Sequence, residues 1–578
     1  MVKHLRGYIK ECILGPLFKL LEASLELIVP IVVALIIDNG IKATDTLATD
    51  RQHYVILMSL LLVGLGAVGL IFSVTAQYFA AKAACGFAGK VRHSLFSHIQ
   101  SLSYTELNRI GTSTLITRMT TDANQVQNGL NLTLRLLLRS PFVVFGAMIM
   151  AFTIDFKSAL SFAAVIPALS VVVFGIMLIS IPLHKKVQSR VDGILGATGE
   201  NLSGARVIRA FCKEDNEISA FREKNSALNS IQKFVGRISS LLNPLTYILI
   251  NLAIIILIYT GAIQVDTDSG LTQGQVVALY NYMSQILVEL VKLANLIITI
   301  TKALASGSRI QSILEINCSQ RFGKSNFSEA NGDVCFENVS FTYQGAGESS
   351  LSGISFECES GDTVGIIGGT GSGKTSLINL IPRFYDATEG AITLGGKNVS
   401  EYDAESLREG IGIVPQKAVL FAGTIRENMK WGNEDATDEE IEAAIKLAQA
   451  ENVVKDKGGL DAKIEQEGRN LSGGQRQRLT IARALVKKPK ILILDDSASA
   501  LDYATDANLR AAIKSITNTT VFIVSQRASS IMHADKILVL DDGELVGIGS
   551  HDELLRNCEI YKEIYATQFT TGGEGNEN

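Results

Sequence analysis

The 578 residues exceed what one domain uses around a single core, so several domains are expected. The 47% hydrophobic content and mean hydropathy of +0.25 average two unlike parts, with long apolar runs before about residue 305 and the alternating strand and helix patterns of an α/β protein after it. The formal net charge of −5 comes with no basic stripe, which argues against a nucleic-acid partner; the seven cysteines (Cys12, Cys85, Cys212, Cys318, Cys335, Cys358, Cys558) show no CxxC or zinc-ligand spacing, which argues against metal or redox roles and fits unpaired thiols in a reducing cytosol.

In chain order, three stretches are long enough to span a bilayer without a charge: Val55 to Ala81, Ala159 to Leu183 and Ile238 to Val265. Three more are less apolar. Ile13 to Ile37 carries Lys19, Glu22 and Glu26, Leu136 to Ile154 is short and begins beside Arg135 and Arg139, and Val276 to Ile300 carries Glu289 and Lys292. Together they make about six helices, the less apolar ones facing protein or water rather than lipid. The first is too long and too charged for a cleaved signal peptide.

Basic residues set the orientation. They crowd the N-terminus (Lys3, Arg6, Lys10), the loop after the second helix (Lys82, Lys90, Arg92, Arg109, Arg118) and the loop after the fourth (from Lys185 to Arg237). The short intervening loops hold only Lys42, Arg51 and Lys157. Both termini and both long loops are therefore expected on the cytoplasmic side. The long loops read as helical, so the second to fifth helices should extend well beyond the bilayer.

Polar residues recur at helical spacing inside the spans. Glu22 and Glu26 share a face of the first helix, Asn243, Tyr247 and Asn251 share one in the fifth, and Asn281, Gln285, Glu289, Lys292 and Asn295 drift along one side of the sixth. A hydrated cavity that meets substrate explains them; so do interhelical hydrogen bonds that only hold the bundle together. The cost of an ionised carboxylate in lipid favours the cavity for Glu22, Glu26 and Glu289. Pro244 should bend the fifth helix, and Arg135 and Arg139 sit where their heads can snorkel to the interface.

In the second part, Val364 to Ile367 reads as a buried strand. It is followed by Gly368, Gly369, Thr370, Gly371, Ser372, Gly373, Lys374 and Thr375, and then by a helical pattern from Ser376. This is GxxxxGK[ST] in its required strand, loop and helix context. The glycines let backbone N–H groups turn inward around phosphates, Lys374 neutralises β/γ-phosphate charge, and Thr375 can hold Mg²⁺. Ile491 to Leu494 is a second buried strand that delivers Asp495, a carboxylate suited to the metal, followed by Asp496. Gln416 follows the strand Ile411 to Val414 and can reach metal and attacking water from a loop. Leu471, Ser472, Gly473, Gly474 and Gln475 precede a helix from Arg476 to Leu485, and their small residues expose backbone donors at a helix start, a second anion site.

This ordered set resembles the ATP-binding cassette family, and the six-helix part in front resembles its exporter branch. The similarity covers almost the whole chain. It implies a multidomain fold, an all-α transmembrane domain (1–305), a linker (306–330) and an α/β P-loop nucleotide-binding domain (331–569), with a small, polar, acidic tail (570–578) expected to be disordered. It also implies ATP and Mg²⁺ as ligands, and two cassettes that sandwich two ATPs head to tail, each site joining one chain's phosphate loop to the other's signature loop. Matched by motif, Tyr343 looks like the aromatic that stacks on adenine, Gln416 the Q-loop, Leu471 to Gln475 the signature, and Ser499-Ala-Leu-Asp502 the D-loop. Glu467 looks like the exporter-type loop that touches the membrane half, and Gly111 to Asp122 and Gly204 to Glu214 resemble the coupling regions that dock on the cassettes.

Two positions depart from the family. Where it usually has Glu after the metal-binding Asp, this chain has Asp496; where it usually has a switch His, the strand Val521 to Val524 leads through Ser525 to Gln526. Asp withdraws the carboxylate by about 1.5 Å where a base needs a reach of roughly 2.6–3.2 Å. Gln can hydrogen-bond a γ-phosphate but cannot become cationic. Both changes weaken hydrolysis and spare ATP binding. The expectation is a subunit similar to the degenerate-site half of bacterial heterodimeric multidrug exporters, with a second half-transporter as partner (a homodimer being the weaker alternative) and lipid around it. It would lie in the bacterial cell membrane and export an amphipathic drug, lipid or peptide by alternating access. An ATP-gated channel or regulatory subunit is the competing class; it calls for a continuous charged pore or a phosphorylatable insertion, and neither is found in the sequence.

Overall fold

The computed structural model describes residues 2–41, 48–266, 271–516 and 518–569. Lys42 and the tail from Thr570 to Asn578 lie outside the described residues. Two compact units emerge, one of residues 1–100 and 113–316, the other of residues 101–112 and 317–578.

The first unit is helical. Among the described residues, six helices are long and apolar enough to cross a membrane: Lys3–Ile41, Thr49–Ser101, Thr112–Ile154, Phe156–Ser203, Glu214–Asp266 and Gln273–Leu314. Each outlasts its apolar stretch, because the polar residues that end a membrane span do not end a helix. Thus the transmembrane boundary expected at 305 falls inside the sixth helix, which continues to Leu314. The fifth helix breaks at Leu241, three residues before Pro244, whose ring nitrogen has no hydrogen to give the Ser240 carbonyl. Leu60, Val63 and Leu70 of the second helix are exposed, the surface that lipid would cover. The interior is packed by Leu27, Val143, Phe162, Leu257 and Ile286 with Ala23, Ala147, Ala151, Ala253 and Ala278, small residues that let helix backbones approach. Tyr282 is fully buried there, and its hydroxyl donates to the Leu27 carbonyl at 2.5 Å.

Arg139 does not snorkel. It is buried at 6% exposure because two carboxylates inside the unit, Glu26 and Glu289, pair with it.

The second unit holds a six-stranded sheet in the order Glu544–Gly549, Lys536–Asp541, Thr363–Gly368, Thr520–Val524, Ile491–Asp495, Ile411–Val414. All neighbours are parallel except the first pair. The central strands are continuous apolar runs, as strands covered on both faces must be. A four-stranded antiparallel sheet, in the order Leu351–Cys358, Val334–Phe341, Glu389–Leu394, Lys397–Asn398, packs through Phe336, Ile354 and Phe356 into the same core as Ile366 and Phe522. A separate apolar cluster joins the signature helix Gly473–Val486 to Asp438–Leu447. All seven cysteines are free.

Residues 101–112 belong to this second unit. Ser103 caps the helix Tyr104–Ile110 in a capping box with Glu106. Tyr104 packs on Phe384 with ring centroids 4.6 Å apart, and Asn108 Nδ2 donates to the Tyr385 hydroxyl at 2.7 Å. Glu106 Oε1 accepts from the Ser319 backbone N–H at 3.2 Å. The docked segment therefore precedes the one expected. Gly111 ends this helix with φ +79, and Thr112 to Asp122 begin the third span, where Asp122 pairs with Arg118 and Arg309. In Gly204 to Glu214, the helix Ala205–Ala210 has no buried residue, and Phe211 is exposed.

Candidate functional site

The strand Thr363–Gly368 lies between Lys536–Asp541 and Thr520–Val524, and the phosphate loop leaves its carboxyl end, where open α/β sheets bind ligands. Gly373, with φ +91, turns the loop into the helix Lys374–Leu380; a Cβ there would lie 2.6 Å from the Ser350 carbonyl oxygen. Lys374 is buried, and its Nζ donates to the carbonyls of Gly368 (2.9 Å) and Gly369 (2.5 Å) and to Ser372 Oγ (3.2 Å). Burial lowers the Lys374 pKa, with the charges of Asp496 and Asp495 pulling it back.

The strand Ile491–Asp495 brings its terminal carboxylate to the next residue of the loop: Thr375 Oγ1 donates to Asp495 Oδ2 at 3.2 Å and lies 3.3 Å from Oδ1. Burial raises the Asp495 pKa first of all, and the neighbouring Asp496 adds to it. A hydroxyl and a carboxylate side by side are hard oxygen donors, and a divalent cation would relieve the buried charge of Asp495, so Thr375 and Asp495 fit Mg²⁺.

Asp496 stands at the turn just past this strand, with φ +45, a left-handed conformation uncommon for a non-glycine residue. Its Oδ2 accepts from Gln416 Nε2 at 3.5 Å, and burial raises its pKa. Gln416 itself is exposed beyond the strand Ile411–Val414. The structure thus gathers Lys374, Thr375, Asp495, Asp496 and Gln416 at the carboxyl ends of three parallel strands. Tyr343 is half-buried against Tyr385 (5.2 Å between centroids), and its hydroxyl lies 3.1 Å from Ser376 Oγ on the helix that follows the phosphate loop. Gln526 is exposed past the strand Thr520–Val524, its carbonyl accepting from Gln568 Nε2 at 2.8 Å. Thr370 and Gly371 are at the surface of the loop.

The signature segment is a separate place. Leu471 anchors it in the core beneath, and Ser472 caps the helix Gly473–Val486 in a reciprocal capping box with Gln475: Ser472 N–H donates to Gln475 Oε1 at 2.9 Å and Gln475 N–H to Ser472 Oγ at 3.3 Å. A Cβ on Gly474 would lie 2.9 Å from the carbonyl oxygen of Ala500. Among the described residues no hydrogen bond or ion pair joins Leu471–Gln475 to the loop Gly368–Ser376. Ser499 Oγ donates to the Asp496 carbonyl at 2.8 Å, and Asp502 caps the next helix by accepting from Thr505 N–H at 2.9 Å. Glu467 is exposed with φ +59.

In the helical unit, Arg139 joins three spans. Its guanidinium donates to Glu289 Oε1 at 2.5 Å and to Glu26 Oε2 at 2.6 Å; Ser140 Oγ (2.7 Å) and Lys292 Nζ (2.8 Å) also hold Glu289. A cavity of about 490 Å³ opens beside this cluster, lined by Glu26, Asn281, Gln285, Glu289 and Lys292 among apolar residues. Glu22 does not line it and pairs with Lys19 at 2.5 Å; Asn243, Tyr247 and Asn251 are exposed outside it. Arg139 and Ser140 were missed as functional residues, although an apolar span carrying Glu289 requires a cation at matching depth and Arg139 was one available.

Six membrane-crossing helices joined to a P-loop domain with a second, helix-capped signature loop define half of an ATP-driven transporter. Comparison with known proteins agrees. Residues 12–290 match the ABC transporter transmembrane region and residues 351–499 the ABC transporter family. The chain is 38% identical over 97% of its length, and 96% of the other's, to the uncharacterized ABC transporter ATP-binding protein YfiB of Bacillus subtilis. It is 31% identical to the ATP-dependent lipid A-core flippase of Vibrio parahaemolyticus over 83% of each chain. A solved bacterial Atm1-family ABC exporter with ATP bound superposes with a TM-score of 0.78 at 25% identity, covering 99% of both chains. The chain belongs to the ABC transporter family and is an exporter half-transporter: a multi-pass membrane protein with an ATP-binding ATPase domain.

Proposed function

We propose that this chain is the degenerate-site subunit of a heterodimeric exporter of amphipathic compounds. The observation that carries the reading is Asp496, the only carboxylate directly after Asp495, held at 3.5 Å by Gln416 and one methylene short of the usual base. Lys374 and the phosphate loop grip ATP, and Thr375 and Asp495 hold Mg²⁺, which neutralises phosphate charge when bound. Asp496 and Gln526 then turn that ATP over slowly. The intact signature loop Leu471–Gln475 instead presents its helix start to the nucleotide of a partner half-transporter that supplies Glu and His.

Closing and opening of the two cassettes drives alternating access of the helical half. The transported compound enters the cavity beside Glu26, Asn281, Gln285, Glu289 and Lys292, whose mix of charge and valine surface suits an amphipath. The names of similar bacterial proteins, a lipid A-core flippase and an Atm1-family exporter, support this class of cargo and a bacterial cell membrane as the location. The basic loops support a cytoplasmic cassette. Phosphate release by this chain alone, with its partner, and with the partner's glutamate replaced by Gln tests the reading: activity should require the partner and that glutamate. Brisk hydrolysis by the unmodified chain alone refutes it.

A further inference from the structure

The cavity beside Arg139 has a polar wall that can be read charge by charge. Two carboxylates (Glu26, Glu289) and two cations (Arg139, Lys292) make up the cluster, so its formal charges cancel. The pairs are unequal. Glu289 is 4% exposed and held by Arg139, Ser140 and Lys292, whereas the Glu26 side chain is 41% exposed and held by Arg139, and the Lys292 side chain is 43% exposed. Glu26 and Lys292 therefore present the most open negative and positive groups to the cavity, while Glu289 lines it with little open surface and Arg139 lies outside the lining. The rest of the lining includes Val29, Val33 and Val288.

A ligand with net charge would leave that charge uncompensated in a medium of low dielectric, at a cost of several kcal/mol. A ligand with no polar head would strip water from Glu26 and Lys292 without replacing it. A head that carries both charges balances the wall: its anionic oxygen meets Lys292, and its cation meets Glu26. The volume, about 490 Å³, falls in the range of about 300–1,000 Å³ typical of ligand pockets.

We infer that this cavity selects an amphipath with a zwitterionic head whose cation pairs with Glu26 and whose anion, a phosphate or carboxylate, pairs with Lys292. The inference rests on the export reading above and names its cargo. A zwitterionic phospholipid of the bilayer and a soluble amino-acid-headed amphipath share this chemistry.

The test is equilibrium binding, without ATP, to the full-length transporter in phosphatidylglycerol nanodiscs. The probes have one alkyl chain and four heads: phosphoethanolamine, phosphocholine, trimethylammonium and phosphate. The two zwitterionic heads should each bind about tenfold more tightly than trimethylammonium or phosphate, because each singly charged head forfeits one pairing with the wall. Glu26→Gln and Lys292→Gln should each erase that preference. Diacyl phosphatidylethanolamine in the nanodisc should compete if the source is the bilayer; absence of competition assigns the same head to a soluble amphipath. Tightest binding by a net cation or anion, or equal binding of all four by the unmodified protein, overturns the inference without needing any variant. ATP-driven movement of the same probe in vesicles is measured separately: binding with the stated preference but no movement would refute export and keep the site, while movement without head preference would refute the site and keep export.

Discussion

Replacing Asp496 by Glu should convert the Lys374 side from a holding site into a hydrolytic one. Asp496 Oδ2 accepts from Gln416 Nε2 at 3.5 Å, the far edge of hydrogen-bond range, and its side chain is one methylene shorter than Glu. Glu restores about 1.5 Å of reach, and a general base is worth about 10²–10⁴-fold in rate. A gain near the low end, about 10²-fold or about 2.7 kcal/mol of barrier, is expected because Gln526 still cannot act as the cationic partner. The assay is phosphate release from the assembled transporter with the partner's own glutamate replaced by Gln, so that only Lys374-side turnover is counted. Gln526→His should add to the gain in the double variant. The acid side of the profile gives a second readout. Burial raises the Asp496 pKa, and a base must be ionised, so the residual rate of the unmodified site should fall as pH drops through a value above the ordinary carboxylate range. If D496E/Q526H binds ATP normally and hydrolyses no faster, the slow site has another cause and the reasoning fails.

Further outcomes follow from other contacts. Asp495→Asn should weaken Mg²⁺-dependent ATP binding by about tenfold, read as a smaller ATP-induced rise in Tm that no longer depends on Mg²⁺. Gly474→Val forces a side chain against the Ala500 carbonyl, 2.9 Å from the Cβ position, and should cut hydrolysis by the assembled transporter by about 10²-fold or more while ATP remains bound at Lys374. Burial opposes ionisation of Glu106, but hydrogen bonds from Ser103 and Ser319 outweigh it and hold its carboxyl below the usual range. Its folded-state pKa being depressed, it contributes stability above the ordinary Glu pKa that is lost as pH falls through the depressed value; Glu106→Gln should lower stability by about 1–2 kcal/mol at neutral pH and flatten that acid dependence in thermal melts. Arg139→Leu leaves buried Glu289 with Lys292 and Ser140 alone and should cost about 1.5–3 kcal/mol, the worth of a lost charged hydrogen bond, whereas R139L/E289L should recover most of it, as followed by thermal unfolding in detergent.

On the nucleotide side the sequence motifs named residues that the fold brings together, because each motif there is local. The phosphate loop is one turn between a strand and a helix, and Lys374 and Thr375 can take up their positions in few ways once Gly373 adopts its left-handed turn. What a local pattern could not supply was how much of the chain each element occupied. Hydropathy ended the sixth span near Ile300, while the helix, indifferent to the bilayer edge, continues to Leu314. The segment that packs on Phe384 and Tyr385 begins at Tyr104, ahead of Gly111, where the expected docking segment began; Gly111, with φ +79, is the stop that follows the capped helix Tyr104–Ile110.

The membrane half was legible by face and not by partner. Helical spacing put Asn281, Gln285, Glu289 and Lys292 on one side of one helix, and all four line the same cavity. It put Asn243, Tyr247 and Asn251 together just as firmly, and these are exposed elsewhere, because periodicity fixes which residues share a face and carries no information on what that face meets. Glu289 shows what resolves the ambiguity. A carboxylate that costs several kcal/mol to bury must find its cation within the unit, and Arg139, 150 residues earlier, is that cation. Pairing buried charges across spans, before assigning any of them to the interface, would have found the node on which the cavity is built.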